Sequence, residues 1–177
     1  MASTVIALSG PRACGKSTIA GHLGTQHGYT IIAFADALRE LAGIGDSEFV
    51  NDRLYLARLG EKLRELLPDF VLQVVQRRLD TIDGPVVIED IRFPAEVDFC
   101  NAIGAVTVRL EIPIETQISN LATRGTYGVE AELLINCQDE FALTSESNWQ
   151  HIIPAVGDFK YLAMELHVLS QDGGIHG

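Results

Sequence analysis

Residues 10–17 read Gly10-Pro11-Arg12-Ala13-Cys14-Gly15-Lys16-Ser17, with Thr18 next, and so fill the pattern G-x-x-x-x-G-K-[ST]. The apolar run Thr4-Val5-Ile6-Ala7-Leu8 before it reads as a buried strand. Ser17-Thr18-Ile19-Ala20 after it opens a helix. Strand, glycine loop and helix thus stand in the order a phosphate-binding loop requires. Gly10 and Gly15 permit backbone angles that turn successive N–H groups onto phosphate oxygens. The helix start adds its positive dipole end. Lys16 is expected to reach the β- and γ-phosphates of a nucleoside triphosphate, and the Ser17 hydroxyl to ligate Mg²⁺. Gly10 and the run Arg12, Ala13, Cys14, Gly15, Lys16, Ser17 and Thr18 are the expected nucleotide-binding surface.

Outward from the loop, apolar and helical segments alternate. Strands are predicted over 4–9, 29–34, 86–88, 105–110 and 151–153. Helices are predicted over 17–27, 36–42, 51–66, 94–103, 114–123 and 158–169, with another carrying Phe70, Val71, Val74, Val75 and Leu79. Pro68 ends the helix before it or begins the next one. Residues 125–149 show no clear period and read as a lid or a helical hairpin, and 171–177 as a frayed tail. Near-continuous apolar strands between helices imply an α/β fold in three layers, a five-stranded parallel sheet with helices on both faces. The 177 residues suit a single domain of this phosphate-loop type: core 1–111 and 150–170, acceptor-binding helices within 36–82, and a lid within 112–149.

The formal net charge is -11, with only 13 Lys and Arg, which points to a small nucleotide as partner and away from DNA. No apolar run approaches the ~20 residues of a membrane span, and the first residues lack a basic leader, so the expected location is cytoplasmic. Cys14, Cys100 and Cys137 form no C-x-x-C pair and suggest neither a disulfide frame nor a zinc site. His22, His27, His151, His167 and His176 show no metal-ligand spacing.

Further chemistry gathers at strand ends. Val86-Val87-Ile88 runs into Glu89-Asp90, carboxylates at the ligand side of an open α/β sheet, where one acid orients Mg²⁺. Successive residues point to opposite faces, so one of Glu89 and Asp90 is expected to serve the metal. Arg92 follows, either at the cleft rim or paired with Glu96 or Asp98. Asp36, leaving the second strand, either caps its helix or orients an attacking group. Arg53, Arg58, Lys62 and Arg64 cluster in one helix. No Lys or Arg lies between Arg124 and Lys160, so a lid there must draw its transition-state cation from Arg124 at its base or from Arg109.

The phosphate loop, Phe34-Ala35-Asp36-Ala37-Leu38, Arg58-Leu59-Gly60-Glu61-Lys62-Leu63-Arg64 with Pro68-Asp69-Phe70, and Val87-Ile88-Glu89-Asp90-Ile91-Arg92-Phe93-Pro94-Ala95-Glu96 stand in the order found in phage-type deoxynucleoside monophosphate kinases, which the chain resembles over about residues 3–111. The Asp-Ile-Arg-Phe-Pro-x-Glu string is the most distinctive part, while the Phe-Ala-Asp string is shared with dephospho-coenzyme A kinases. The resemblance implies a nucleoside-monophosphate-kinase-like fold, ATP and Mg²⁺ as cofactors, and phosphoryl transfer to a deoxynucleoside monophosphate. It places Lys16 and Ser17 on ATP·Mg²⁺ and Asp90 on the metal, and turns Asp36, Arg64 and Arg92 toward the acceptor. Lys16, Asp36 and Arg124 are the expected catalytic residues. Glu89 departs from the family, which carries a small or hydroxyl residue there. A phage origin would make the compartment the host cytoplasm, and a homodimer fits the same reading.

Two other functions compete. Phage kinases acting on 5-hydroxymethyluracil in DNA, and dephospho-coenzyme A kinases, share these elements but phosphorylate a hydroxyl. A nucleotide-binding switch would transfer nothing, but the Asn-Lys-x-Asp string of GTPases is absent.

Overall fold

The computed structural model describes residues 2–45, 47–136, 143 and 148–172. Strand β1 (Ala2–Ser9) is central, with Ile6, Ala7 and Leu8 wholly buried. It leads through the loop into helix α1 (Lys16–His27) and on to β2 (Thr30–Ala33). Helices α2 (Phe34–Gly45), α3 (Arg53–Leu66) and α4 (Phe70–Thr81) then cross back to β3 (Gly84–Ile91). Next come α5 (Pro94–Ala102), β4 (Val106–Glu111), α6 (Ile114–Thr123) and α7 (Gly128–Ile135). Finally β5 (His151–Pro154) precedes α8 (Phe159–Asp172). The described strands form one five-stranded parallel sheet in the order β2-β3-β1-β4-β5. The expected α/β fold, a parallel sheet covered on both faces, is therefore present.

Alternation along the strands divides the core in two. Ala7, Val86 and Ile88 face the side covered by α2, α3, α4 and α5, through Leu38, Leu56, Val75 and Val97. Ile6, Leu8, Val87 and Val108 face α1 and α8, through Ile19, Leu23, Leu162 and Leu166. Each wholly buried Ile or Leu contributes about 1.5–3 kcal/mol through the water-excluded surface alone. A polar knot also ties α8 to the start of β2. The Tyr29 hydroxyl meets Ser170 Oγ at 2.8 Å and His167 Nδ1 at 3.1 Å, and the His27 and His167 rings stack with centroids 4.1 Å apart. Burial, and then the neighbouring His27, lowers the His167 pKa. The histidines here pack, and the described residues contain no group of three or more His, Cys, Asp or Glu fit to hold a metal.

Several boundaries differ from the sequence expectation. β2 stops at Ala33 because Phe34 and Ala35 already belong to the first turn of α2. β3 continues past Ile88 to Ile91. Pro68 ends α3 and lies outside α4, which begins at Phe70. Helix α7 lies within the stretch that had no readable period. Ala131 is buried there and packs with Leu134 and Ile135, while Val129 and Leu133 are exposed, so apolar residues on the outer face blur the inward stripe. Residues 137–142 and 144–147 of the expected lid, Cys137 among them, lie outside the described residues, as does 173–177 of the tail. Among the described residues, no helix is long and apolar enough to cross a membrane.

Candidate active site

The loop between β1 and α1 is shaped by close approaches as much as by backbone freedom. Gly10 has φ 145°, and a Cβ there would lie 2.6 Å from the Leu110 carbonyl oxygen. Gly15 has φ 99°, and a Cβ there would lie 2.6 Å from the Phe159 ring at the start of α8. Both positions exclude any larger residue. Gly15 is also the N-cap of α1, its carbonyl accepting from Thr18 N and Ile19 N at 3.0 Å. A helix start leaves its first N–H groups without intrahelical partners, so this end of α1 offers donors to an anion.

Lys16 is buried, and its Nζ donates to the Gly10 carbonyl at 2.7 Å and the Pro11 carbonyl at 2.9 Å. The buried Cys14 Sγ stands 3.6 Å from the same nitrogen. The ammonium thus closes over the loop's own carbonyls. Ser17 and Thr18 are exposed on the first turn of α1. From the opposite side, the Asn120 side-chain amide of α6 donates to the Ala13 carbonyl at 2.9 Å, and Ala13 packs with Leu121 and Ala131.

Beside the loop, β3 bulges. Ala7 pairs with Ile88 and Ser9 with Ile91, so Leu8 stands opposite both Glu89 and Asp90. Asp90 takes φ 75° at this bulge, and the Ser9 hydroxyl donates to the Ile91 carbonyl at 2.9 Å. Strict alternation of Glu89 and Asp90 across the sheet, expected from sequence, is broken by the extra residue. Ala13 (φ 61°) and Asp90 are the described non-glycine residues in the left-handed region, and both belong to this site. Such strain concentrates where function constrains the backbone.

Arg92 Nε lies 2.6 Å from Asp90 Oδ1, a pairing with the carboxylate two residues upstream that the sequence reading did not name. Glu96 instead accepts backbone N–H bonds from Arg92 at 2.7 Å and Phe93 at 3.2 Å through Oε2. Burial pushes its carboxyl up to about 7, against the pull of those donors. The Arg64 guanidinium lies over the Phe93 ring, 3.8 Å from its centroid. A Cβ at Gly60 would come within 3.0 Å of Leu38 and 3.3 Å of Arg64 Nη1, so this glycine lets α3 close on α2 beneath that guanidinium.

Asp36 caps α2 from its third helical position. Oδ2 accepts from the Ala33 N–H at 3.0 Å, Oδ1 from Arg39 at 2.7 Å, and Arg78 approaches to 3.6 Å. Arg78 also reaches Glu40. Arg124 is exposed at the C-cap of α6, and Arg109 is mostly buried with Nε 3.9 Å from Glu111. In the basic cluster of α3, Lys62 pairs with Glu65 in solvent, and the Arg53 side chain lies outside the described residues.

The structure therefore brings Asp90 to Arg92 and Arg64 to Phe93 at the end of β3. Residues that the sequence reading gave no role are Asn120, Phe159, Arg39 and Glu96's capping carboxylate. The last alone had a readable signal, an acidic residue three positions after Phe93 with Pro94 between them.

No protein-family model and no curated protein matches the chain. Solved structures do. TT1252 from Thermus thermophilus aligns with TM-score 0.63 and 19% identity, covering 98% of each chain. The shikimate kinase of Acinetobacter baumannii, solved in complex with shikimate, aligns with TM-score 0.62 and 16% identity over 98% of this chain and 96% of that one. The tunicamycin resistance protein of Deinococcus radiodurans gives TM-score 0.56 and 19% identity, covering 94% of each. At these identities the likeness is one of architecture: the chain shares their fold, a parallel sheet with helices on both sides.

Proposed function

We propose that this chain is an ATP-dependent phosphotransferase that converts a (deoxy)nucleoside monophosphate to its diphosphate. The observation that carries the reading is the Lys16 ammonium, held by the carbonyls of the glycine loop beside a β3 end that bears Asp90 and Arg92. The loop amides and Lys16 would take the triphosphate tail, the ammonium exchanging loop carbonyls for phosphate oxygens. Ser17 and Asp90 offer a hydroxyl and a carboxylate, hard oxygen donors that suit Mg²⁺. When bound, that ion would offset charge on the phosphate oxygens. Arg64 and Arg92 would hold the acceptor phosphate through their planar donor forks. Arg124 or Arg109 would supply charge from the lid base. Catalysis is then positioning and charge neutralisation, with no strong base.

Asp36 supports a phosphate acceptor. Both its oxygens already serve a backbone N–H and arginine neighbours, and a phosphate is ionised at neutral pH without its help. A second reading, a hydroxyl acceptor, has the architectural likeness to shikimate kinase in its favour. Asp36 would then be a general base. The DNA version of that reading is opposed by the net charge of -11.

A coupled assay of ADP release from ATP, with each common (deoxy)nucleoside monophosphate in turn, tests the proposal. At least one should accelerate release. ATP binding without any such acceleration would defeat it. Asp36→Asn separates the readings. Its kcat should fall less than about fivefold for a phosphate acceptor and about 10²–10⁴-fold for a hydroxyl.

A further inference from the structure

We infer that Glu96 is a positioning residue for the acceptor side of the site, acting through the corner between β3 and α5 without touching a ligand. The inference rests on the function proposed above, because it is the acceptor that Arg92 and Arg64 would hold.

Glu96 is 6% exposed, an uncommon place for a carboxylate that has no cationic side chain bonded to it. An ordinary helix cap needs one accepting oxygen at the surface. Glu96 does more. Its Oε2 accepts from both Arg92 N and Phe93 N, on consecutive residues of the corner. Those N–H groups belong to the residues whose side chains form the rim. Arg92 turns back to Asp90 at 2.6 Å, and Phe93 carries the Arg64 guanidinium at 3.8 Å. Asp90, two residues upstream, is in the left-handed region. Without a fixed anchor immediately after it, such a bulge can relax and carry the Arg92 side chain away. One buried carboxylate thus fixes the backbone from which the Arg92 and Phe93 side chains project. Arg64 lies near enough for its charge to favour the ionised form, though less than burial opposes it. The chemical need is acceptance of two N–H bonds, which a glutamine oxygen also meets.

The test compares Glu96→Ala, Glu96→Gln and Arg92→Ala in the coupled assay, with KM and kcat measured separately for ATP and the monophosphate. Glu96→Ala should raise the monophosphate KM about 10–100-fold, the usual effect of losing an outer-shell partner, with the ATP KM within about twofold. It should reproduce the pattern of Arg92→Ala. Glu96→Gln should restore the monophosphate KM to within about threefold of wild type. If Glu96→Ala instead lowers kcat and thermal stability with both KM values unchanged, Glu96 only holds the fold and the inference fails. If Glu96→Ala does not fold, an unrestored KM in Glu96→Gln overturns it equally. Should the wild type act on no monophosphate, the proposed function is what has failed. Amide hydrogen exchange then reads the corner without turnover. Exchange at Arg92 and Phe93 should quicken at least about tenfold in Glu96→Ala but not in Glu96→Gln. Unchanged exchange in Glu96→Ala overturns the inference.

Discussion

Asn120 on α6 donates its side-chain amide to the carbonyl of Ala13, at 2.9 Å, so the helix beyond β4 holds the phosphate loop from outside. The accepting residue is one whose φ of 61° a non-glycine residue adopts reluctantly. The bond helps to keep it there. Asn120→Ala should cost about 1 kcal/mol, a fall of roughly 2–4 °C in Tm for a domain of this size. The ATP KM should rise more than the acceptor KM. Calorimetry and the coupled assay check both, and an unchanged Tm would show that Asn120 does not brace the loop.

In the free loop the Lys16 ammonium bonds the Gly10 and Pro11 carbonyls, and in the proposed triphosphate site it would exchange them for phosphate oxygens. Lys16→Ala should lower kcat/KM by at least about 10²–10³, the scale of losing one preorganised charge-stabilising donor. Isothermal titration with ATP and Mg²⁺ should show weakened binding. Retained turnover would contradict the role assigned to the loop.

Gly15 faces the Phe159 ring, and a methyl group there meets both that ring at 2.6 Å and an unfavourable φ of 99°. Gly15→Ala should destabilise by about 2 kcal/mol or more. In a Phe159→Ala background the steric part is relieved and the backbone part remains, so the same substitution should cost less there. A double-mutant cycle in denaturant reads the difference. Equal costs in both backgrounds would show that the ring is not the obstacle.

Glu96 should make stability depend on pH. Its carboxyl is raised from 4.5 to about 7, first by burial. The folded chain therefore binds the proton more tightly than the unfolded chain between these values, and stability falls as pH rises through them. The displacement corresponds to at most about 3 kcal/mol. Glu96→Gln has no such proton and lacks this part of the slope. Melting both proteins from about pH 5 to pH 8 should therefore show the wild type losing ground to the variant as pH rises. Parallel curves would contradict the assignment.

How much of this could be read from the chain differs by element. β1, the loop and α1 were legible because one local pattern dictates all three: apolar run, paired glycines, Lys-Ser. β3 and α5 were legible as elements, but the bulge was not. It depends on the register of Ala7 and Ser9 against Ile88 and Ile91, a relation between strands far apart in sequence. The pairing of Arg92 with Asp90, which sits in that bulge, was not among the partners the sequence suggested. Asp36 was legible as a cap, and its position became clear once α2 was seen to begin at Phe34. Helix α7 was illegible because exposed Val129 and Leu133 mask any stripe. Asn120 and Phe159 act through contacts with residues more than 100 positions away, which no local spacing announces.

The kink at Asp90 places two independent demands on a single codon. The chemistry proposed there calls for a negatively charged oxygen, while the twisted main chain tolerates little besides Gly, Asn or Asp. Glycine and asparagine meet the second requirement alone, and glutamate meets only the first. Aspartate is the sole natural side chain that satisfies both, so even its nearest chemical relatives should prove poor substitutes, each failing for a different reason.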